Sequence, residues 1–273
     1  MIGNFYFKNF NLESVDKVTS FDFSNQRGVY ETLKLRDGVL FFPNDHIDRL
    51  FHSIKLFNLN DEINFSKQEL NDTLDELVEK NKLSDANIRI YYIDQKESKE
   101  LYLMMIDPIF PNLELYKNGV KTISVHGARN NSQVKYINPE TSQKIYQKAK
   151  ELGAYDALLV NGYVTEGTRT NIFLVKEGKF YTPPKERVLE GVTRKHVIEV
   201  IKNNGMEIFE EDIFYNSLQN FDGAFLTGTS TSVMPVNSID NINFEIDNNI
   251  RFIQKKFDAY LKEYILNNKN GRN

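Results

Sequence analysis

The stretch Asn161–Pro184, NGYVTEGTRTNIFLVKEGKFYTPP, constrains this chain more than any other. Asn161-Gly162 lies between the apolar run Ala157–Val160 and Tyr163-Val164, which is a strong short-range signal for a two-residue hairpin. A second strand over Asn171–Val175 turns at Glu177-Gly178 into a third over Lys179–Tyr181, so the stretch predicts a β-meander. Glu166 falls where Tyr163-Val164 ends and a loop of Gly and Thr begins. A carboxylate at a strand end, beside small residues, is well placed to face a ligand. Taken alone, such an acid is more often a solvated turn residue.

The chain around this stretch has 273 residues, enough for one large domain or two of ordinary size. Hydrophobic residues make up 40%, which permits a packed core. With 26% charged residues and a net charge of −4, the balance argues against non-specific nucleic-acid binding. The absence of cysteine excludes disulfides and thiolate metal sites, and four scattered histidines offer no zinc spacing, so no metal is expected. MIGNFYFKNF does not read as a signal peptide and no window resembles a membrane span, so a cytoplasmic location and no membrane partner are expected.

Taken in order, residues 4–42 predict strands over Asn4–Phe10, Val18–Phe23, Val29–Leu35 and Val39–Phe42, with a hairpin at Asp37-Gly38. A helix is expected from Asp45, with Ile47, Leu50, Phe51 and Ile54 on one face. Ser66-Lys67-Gln68-Glu69 is a capping box opening a second helix. Strands over Asn87–Ile93 and Leu101–Ile106 follow. Pro108 and Pro111 end a first domain, 1–111, and residues 112–118 read as a linker. A second domain, 119–273, opens with a strand over Lys121–Val125. Gln133–Ile137 precedes a helix with Asn138 as N-cap, Pro139 as its first residue and Gly153 as its stop. Gly191-Val192-Thr193 opens another helix that Gly205 closes. Ala224–Leu226 is a short strand, and a last helix covers about Asn249–Leu266. The class is α/β (α+β).

Several residues carry chemistry. Lys135 lies between Val134 and Tyr136, just before a helix N-terminus whose partial positive charge disfavours an ammonium. Schiff-base chemistry needs a lysine that is neutral part of the time. By pattern alone Lys135 is an exposed lysine. Arg49 sits at the edge of an apolar helix stripe and could pack its stem there. Tyr30, Thr32 and Lys34 alternate onto one face of a strand. Gly191-Val192-Thr193 offers free amides and a dipole end to an anion, with a hydroxyl from Thr193. Thr229 lies in a Gly/Thr/Ser loop that could add more donors.

The motifs together resemble class IV aminotransferases, the fold-type IV pyridoxal-phosphate enzymes. V-T-E-G-T-R-T-N-I-F with Y-T-P-P, G-V-Y-E-T at Gly28–Thr32, H-I-D-R-L at His46–Leu50, V-K-Y-I-N at Val134–Asn138, L-E-G-V-T-R at Leu189–Arg194 and T-G-T-S-T-S-V-M-P-V at Thr227–Val236 follow one another in the family's order. The resemblance implies two domains with pyridoxal 5'-phosphate in the cleft between them, and a homodimer. It implies that Lys135 carries the cofactor and shuttles the Cα proton. Glu166 would hold the pyridine nitrogen, while Arg49, Val192, Thr193 and Thr229 hold the phosphate and Leu189 packs on the ring. Tyr30, Lys34, Arg89 and Ser230 would meet the substrate.

Three departures bear on the substrate. D-amino acid aminotransferases carry Arg-Gly where this chain has Ile93-Asp94-Gln95. Branched-chain enzymes have E-G-x-G-E-N where Glu166–Asn171 reads E-G-T-R-T-N, so Arg169 is new in that loop and could bind a carboxylate or pair on the surface. Gln26-Arg27 replaces the usual Gly-Asp before the first motif. The expected activity is ping-pong transfer of an amino group between a branched-chain-like L-amino acid and a 2-oxo acid. Aminodeoxychorismate lyase chemistry and an inactive cofactor-binding scaffold are the alternatives.

Overall fold

The structure, a computed structural model, describes residues 1–18, 21–23, 26–59, 63–95, 98–127, 132–137 and 142–270. The contacts group into two compact units. One comprises Met1–Ile109, Val134–Asn138 and Tyr264–Asn273, and the other Phe110–Gln133 and Pro139–Glu263.

The first unit is built on a six-stranded sheet. Its strands are β1 (Phe5–Lys8), β2 (Asn11–Ser14), β3 (Arg27–Arg36), β4 (Val39–Leu40), β5 (Ala86–Gln95) and β6 (Ser98–Ile106), in the order β2-β1-β6-β5-β3-β4. Asp37 and Gly38 both have positive φ, 51° and 78°, so the expected hairpin joins β3 to β4. Helix α1 (Pro43–Leu56) begins two residues before the expected Asp45. Pro43 fits a first helical position, because its fixed φ is already helical and its missing N–H is not needed there. Helix α2 (Lys67–Asn81) opens on the expected capping box: Ser66 Oγ accepts from the Glu69 amide at 3.1 Å, and the Glu69 carboxylate accepts from the Ser66 amide at 2.7 Å. Both helices cover one face of the sheet. Val29, Leu33 and Leu35 of β3, Ile88 and Ile90 of β5 and Leu103 of β6 pack there against Ile47, Leu50, Ile54, Leu70, Leu74 and Leu77.

Two readings of this unit change. Asn4–Phe10 is not one strand, because Asn9 and Phe10 take positive φ and turn the chain into β2. Among the described residues of Val18–Phe23, none is in a strand. Both edges of β1 are already taken, by β2 and β6. Phe21 and Phe23 instead lay their rings on the sheet face away from the helices, Phe21 on Tyr6 and Phe23 on Tyr91, with centroids 5.0 and 4.5 Å apart.

The second unit begins with α3 (Leu113–Asn118), where a linker was expected. Asn112 caps it, its side chain accepting from the Glu114 amide at 2.9 Å, and Gly119 ends it at φ 74°. Then come β7 (Val120–His126), α4 (Lys144–Glu151), β8 (Asp156–Asn161), β9 (Tyr163–Gly167), β10 (Asn171–Lys176), β11 (Lys179–Thr182), α5 (Val192–Asn203), β12 (Ile208–Glu210), β13 (Ile213–Phe214), β14 (Gly223–Gly228), β15 (Ser232–Ile239), β16 (Ile242–Asn243) and α6 (Asn248–Asn270). The residues of α6 from Tyr264 on group with the first unit. The proposed cap Asn138 and first helical residue Pro139 lie outside the described residues, while the expected stop at Gly153 has φ 71°.

The expected meander is two hairpins. β8 turns into β9 at Gly162, and β10 turns into β11 at Glu177 and Gly178, both with positive φ. β9 and β10 meet at one residue pair, Glu166 opposite Asn171. That pair closes a ring, because β10-β14-β15-β7-β8-β9 leads back to β10. Inside the ring Leu158, Val160, Val164, Ile172, Leu174, Leu226, Met234 and Val236 pack together. A second cluster packs Phe173, Val175 and Phe225 against Val197, Ile201, Ile253 and Phe257 of α5 and α6.

Candidate active site

The expected site residues divide between the two units. In the first, Lys135 belongs with β3 rather than with the second domain to which its position in the chain assigned it. The Tyr30 amide donates to the Lys135 carbonyl at 2.9 Å, and the Ile137 amide donates to the Gly28 carbonyl at 2.9 Å. Tyr136 thus forms a bridge opposite Val29 on the stretch of β3 that β4 does not reach. Gly28 permits the approach, since a Cβ there would stand 2.6 Å from the Tyr92 carbonyl oxygen and 3.2 Å from the Ile137 side chain. The Lys135 amide donates to Ser53 Oγ on α1 at 3.2 Å. Its ammonium lies over the ring of Tyr30, 4.8 Å from the centroid.

The alternation of β3 sorts its side chains. Tyr30, Thr32 and Lys34 are half-buried on the face away from the helices, as expected, and Arg89 shares that face from β5 as the direct partner of Thr32. The Arg89 guanidinium lies 5.1 Å from the Tyr30 ring centroid and 5.8 Å from that of Tyr91. Its Nε is buried, with no hydrogen-bond partner among the described residues. Two cations therefore share the Tyr30 ring. Lys34 lies on the same face, four residues further along.

The opposite face holds a residue that motif reading missed. Glu31 falls between Val29 and Leu33 in the buried row and is fully enclosed. Arg49 of α1 grips both its oxygens, Nε to Oε1 and Nη2 to Oε2, each at 2.7 Å. His46, one turn earlier, stands 2.9 Å from Oε2 through Nδ1. Burial pushes the Glu31 carboxyl up, but the Arg49 charge and the Arg49 and His46 hydrogen bonds overcome it, holding the group well below the usual carboxylate range. Burial pushes His46 below its ordinary value. The charges of Arg49 and Lys135 add to that, against the opposing pull of Glu31. His46 is therefore a neutral ring beside an ionised pair. The signal for Glu31 was present in the sequence as an acid inside an apolar alternation, facing H-x-x-R at helical spacing.

In the second unit the organising residue is Glu166, 3% exposed at the end of β9. Its Oε2 accepts from the Leu189 amide at 3.0 Å. Asn171, its cross-strand partner, donates from Nδ2 to the Leu189 carbonyl at 2.9 Å. Gly191 follows, and there a Cβ would stand 2.0 Å from Asn171 Oδ1. Gly191 is also the N-cap of α5. It supplies no side-chain cap, and the first turn of α5 holds no acid, so its amides suit an anion. Val192 and Thr193 form that turn and are buried. Thr229 and Ser230 lie half-buried in the turn between β14 and β15, where the Thr231 amide donates to the Gly228 carbonyl at 3.1 Å. Thr227, opposite Asn171 on β14, buries a hydroxyl with no hydrogen-bond partner among the described residues.

Motif reading also missed Asn171 and Asp156 as supports. Asn171 could be read from its position, opening a strand directly after the polar loop. Asp156 begins the apolar run of β8, and its carboxylate accepts from the Thr168 amide at 3.1 Å, the Thr170 hydroxyl at 2.8 Å and the Thr168 hydroxyl.

A family model, Amino-transferase class IV, matches residues 28–239. The chain belongs to the class IV aminotransferases. This aminotransferase is 34% identical over 229 residues to a putative branched-chain-amino-acid aminotransferase of Methanocaldococcus jannaschii, with 78% of each chain covered. It is 33% identical over 225 residues to a D-alanine aminotransferase of Bacillus licheniformis, covering 78% of this chain and 79% of the other. Its fold matches that of the branched-chain amino acid aminotransferase of Escherichia coli, at TM-score 0.85 and 24% identity, covering 94% of each chain. The aminotransferase is thus a two-domain α/β enzyme of fold type IV. Among the described residues no helix is long and apolar enough to cross a membrane.

The donor set fits a phosphorylated ring cofactor with a basic nitrogen. Glu166 is a buried carboxylate bound by the Leu189 amide, and three residues past Leu189 lies a helix N-terminus without a side-chain cap, with the Thr193 hydroxyl in its first turn.

Proposed function

We propose that this aminotransferase uses pyridoxal 5'-phosphate to move the amino group of a branched-chain-like L-amino acid to a 2-oxo acid in alternating half-reactions. The observation that carries the reading is the tie between Glu166 and Leu189. It holds a buried carboxylate at Leu189, three residues before the open start of α5, which suits a cofactor with a pyridine nitrogen at one end and a phosphate at the other.

The cofactor supplies an electron sink for the substrate Cα. Lys135 is the amine that anchors it and then accepts the Cα proton. Lys135 holds its amine over the Tyr30 ring, within electrostatic reach of His46. Glu166 keeps a proton at the ring nitrogen. The first-turn amides of Val192 and Thr193, the Thr193 and Thr229 hydroxyls and Arg49 hold the phosphate. Leu189 packs on the ring. Tyr30, Lys34, Arg89 and the Ser230 turn receive the substrate.

The L reading is supported at Asp94. Where D-amino acid enzymes carry an arginine for the carboxylate, this chain has an acid bound to Arg27 and to Lys99, the latter at 2.6 Å. In keeping with the family resemblance we also propose a homodimer. In the second unit Phe110 and Leu113 are 50% and 81% exposed, apolar area that a second copy would cover.

An amino-donor screen with 2-oxoglutarate tests the reading. Glutamate should form with L-leucine, L-isoleucine or L-valine and far less with D-alanine. A D-alanine preference would reverse the stereochemical assignment. Release of 4-aminobenzoate and pyruvate from aminodeoxychorismate, with no amino transfer, would assign elimination instead.

A further inference from the structure

The loop between β9 and β10 carries an arginine that neither cluster uses. Its backbone is fixed from beneath by Asp156, which is buried and accepts from the Arg169 amide at 3.4 Å as well as from Thr168 and Thr170. Gly167 lets the loop close on that carboxylate, since a Cβ would stand 2.5 Å from Asp156 Oδ2 and 2.2 Å from Thr170 Oγ1. The Arg169 side chain leaves this fixed backbone exposed. Its guanidinium lies over Tyr146 of α4, with Cζ 3.5 Å from the ring centroid. Stacking uses the face of the guanidinium, and its hydrogen-bonding edge lies in the plane. Among the described residues no carboxylate or other acceptor engages that edge. The surface ion pair that the sequence left open is thus not found among them.

The surroundings belong to the site. The Arg169 carbonyl oxygen lies 3.4 Å from where a Cβ of Gly228 would stand, so the loop abuts the turn that holds Thr229 and Ser230. Tyr155, whose hydroxyl is 3.2 Å from Thr231 Oγ1 at the end of that turn, feels the Arg169 charge.

We infer that Arg169 is a specificity-determining residue that binds the second carboxylate of a dicarboxylic substrate, while the Ser230 turn takes the first. Three features combine here: a backbone locked by a buried acid, an aromatic platform that fixes the cation, and a planar donor edge matched to a planar acceptor. A carboxylate accepts two parallel N–H bonds from such an edge. The assignment, which rests on the amino-transfer reading above, concerns binding and can be measured without turnover.

The experiment is calorimetric titration of the protein loaded with pyridoxal phosphate, using glutarate and pentanoate, which share a chain length and differ by one carboxylate. Wild type should bind glutarate about ten- to a hundredfold more tightly than pentanoate, the range for one charged hydrogen-bonded contact. Arg169→Gln should remove that preference and leave pentanoate unchanged. Arg169→Lys should keep part of it, and Tyr146→Leu should weaken it by loosening the cation. Equal glutarate affinity in wild type and Arg169→Gln, or no glutarate preference in wild type, overturns the inference. Failure of the amino-transfer reading looks different: no glutamate would form from 2-oxoglutarate with any donor, while the Arg169-dependent preference for glutarate stood.

Discussion

Glu166 and Asn171 face each other across β9 and β10, and together they hold Leu189 by both ends of its peptide: the carboxylate takes the amide and the Asn171 amide group takes the carbonyl. The same pair closes the ring of strands. One contact therefore fixes the barrel seam, the acid and the approach to α5.

Asn171→Ala tests that coupling. It leaves the Leu189 carbonyl without its donor in a buried place, a cost of about 1–3 kcal/mol. It also frees the segment that sets the start of α5. Urea denaturation should show the loss of stability, and equilibrium dialysis should show weaker retention of pyridoxal phosphate. Unchanged retention at reduced stability would confine Asn171 to a structural role.

A second prediction concerns the buried pair in the first unit. Glu31→Gln strips the partner from Arg49 and should cost about 3–5 kcal/mol, because a buried guanidinium is left uncompensated. The pH dependence follows from the directions of the shifts. His46 is held below its unfolded value of about 6.5. An unfolded chain therefore takes up a proton that the folded one refuses, and stability falls as pH drops below about 6.5. Glu31 is held below its unfolded value of about 4.3, so its contribution is intact above that pH and lost as acidification continues towards the folded value. Acid should weaken the fold in two stages, with His46 acting first. Denaturation midpoints at pH about 7.5, 6 and 5 check this, and His46→Gln should flatten the first stage. A wild-type profile that matches the variant would show that His46 does not titrate as described.

These residues also mark how far the sequence could be read. Turns were legible because left-handed backbone selects Gly and Asn: Asp37-Gly38, Gly162 and Glu177-Gly178 all turn as expected. The start of α2 was legible because a capping box is local. β15 was not, since Pro235 argues against a central strand, yet it pairs there with Phe225 between β14 and β7. α3 was hidden by flanking prolines that suggested a linker. Above all, Lys135 is far from β3 in the chain yet hydrogen-bonds to it, and no local pattern encodes that pairing. Glu31, Asp156 and Asn171 were missed as supports because each binds groups on another element, although an acid inside an apolar alternation marked Glu31 and the place after a polar loop marked Asn171.

The third prediction tests the amine. If Lys135 anchors the cofactor, borohydride reduction of the loaded protein followed by peptide mapping should place the pyridoxyl group on Lys135. Its position over Tyr30 and beside His46 motivates the choice among the chain's lysines. A label on any other lysine would remove the assignment.

The last prediction concerns Glu166, whose carboxylate is buried and bound by the Leu189 amide through one oxygen. Glu166→Gln preserves size and reach. The substituted amide keeps a carbonyl oxygen that can accept from the Leu189 amide, so the strand seam and the path to α5 should persist. Stability should then change by no more than about 1–3 kcal/mol, the cost of weakening a hydrogen bond to a charged group. Retention of pyridoxal phosphate should also persist, because Lys135 and the phosphate donors are untouched. What the substitution removes is the negative charge that keeps a proton on the pyridine nitrogen. Without that proton the ring draws electrons from the substrate Cα less strongly, and Lys135 must remove the Cα proton against a higher barrier. If about one to three pKa units of ring stabilisation reach the transition state, proton removal slows by about ten- to a thousandfold. Single-turnover amino transfer from saturating L-leucine measures that step directly, and a deuterium substitution at Cα identifies it through a larger isotope effect in the variant. Wild-type speed in Glu166→Gln would mean that another group protonates the ring and that Glu166 only holds Leu189 in place.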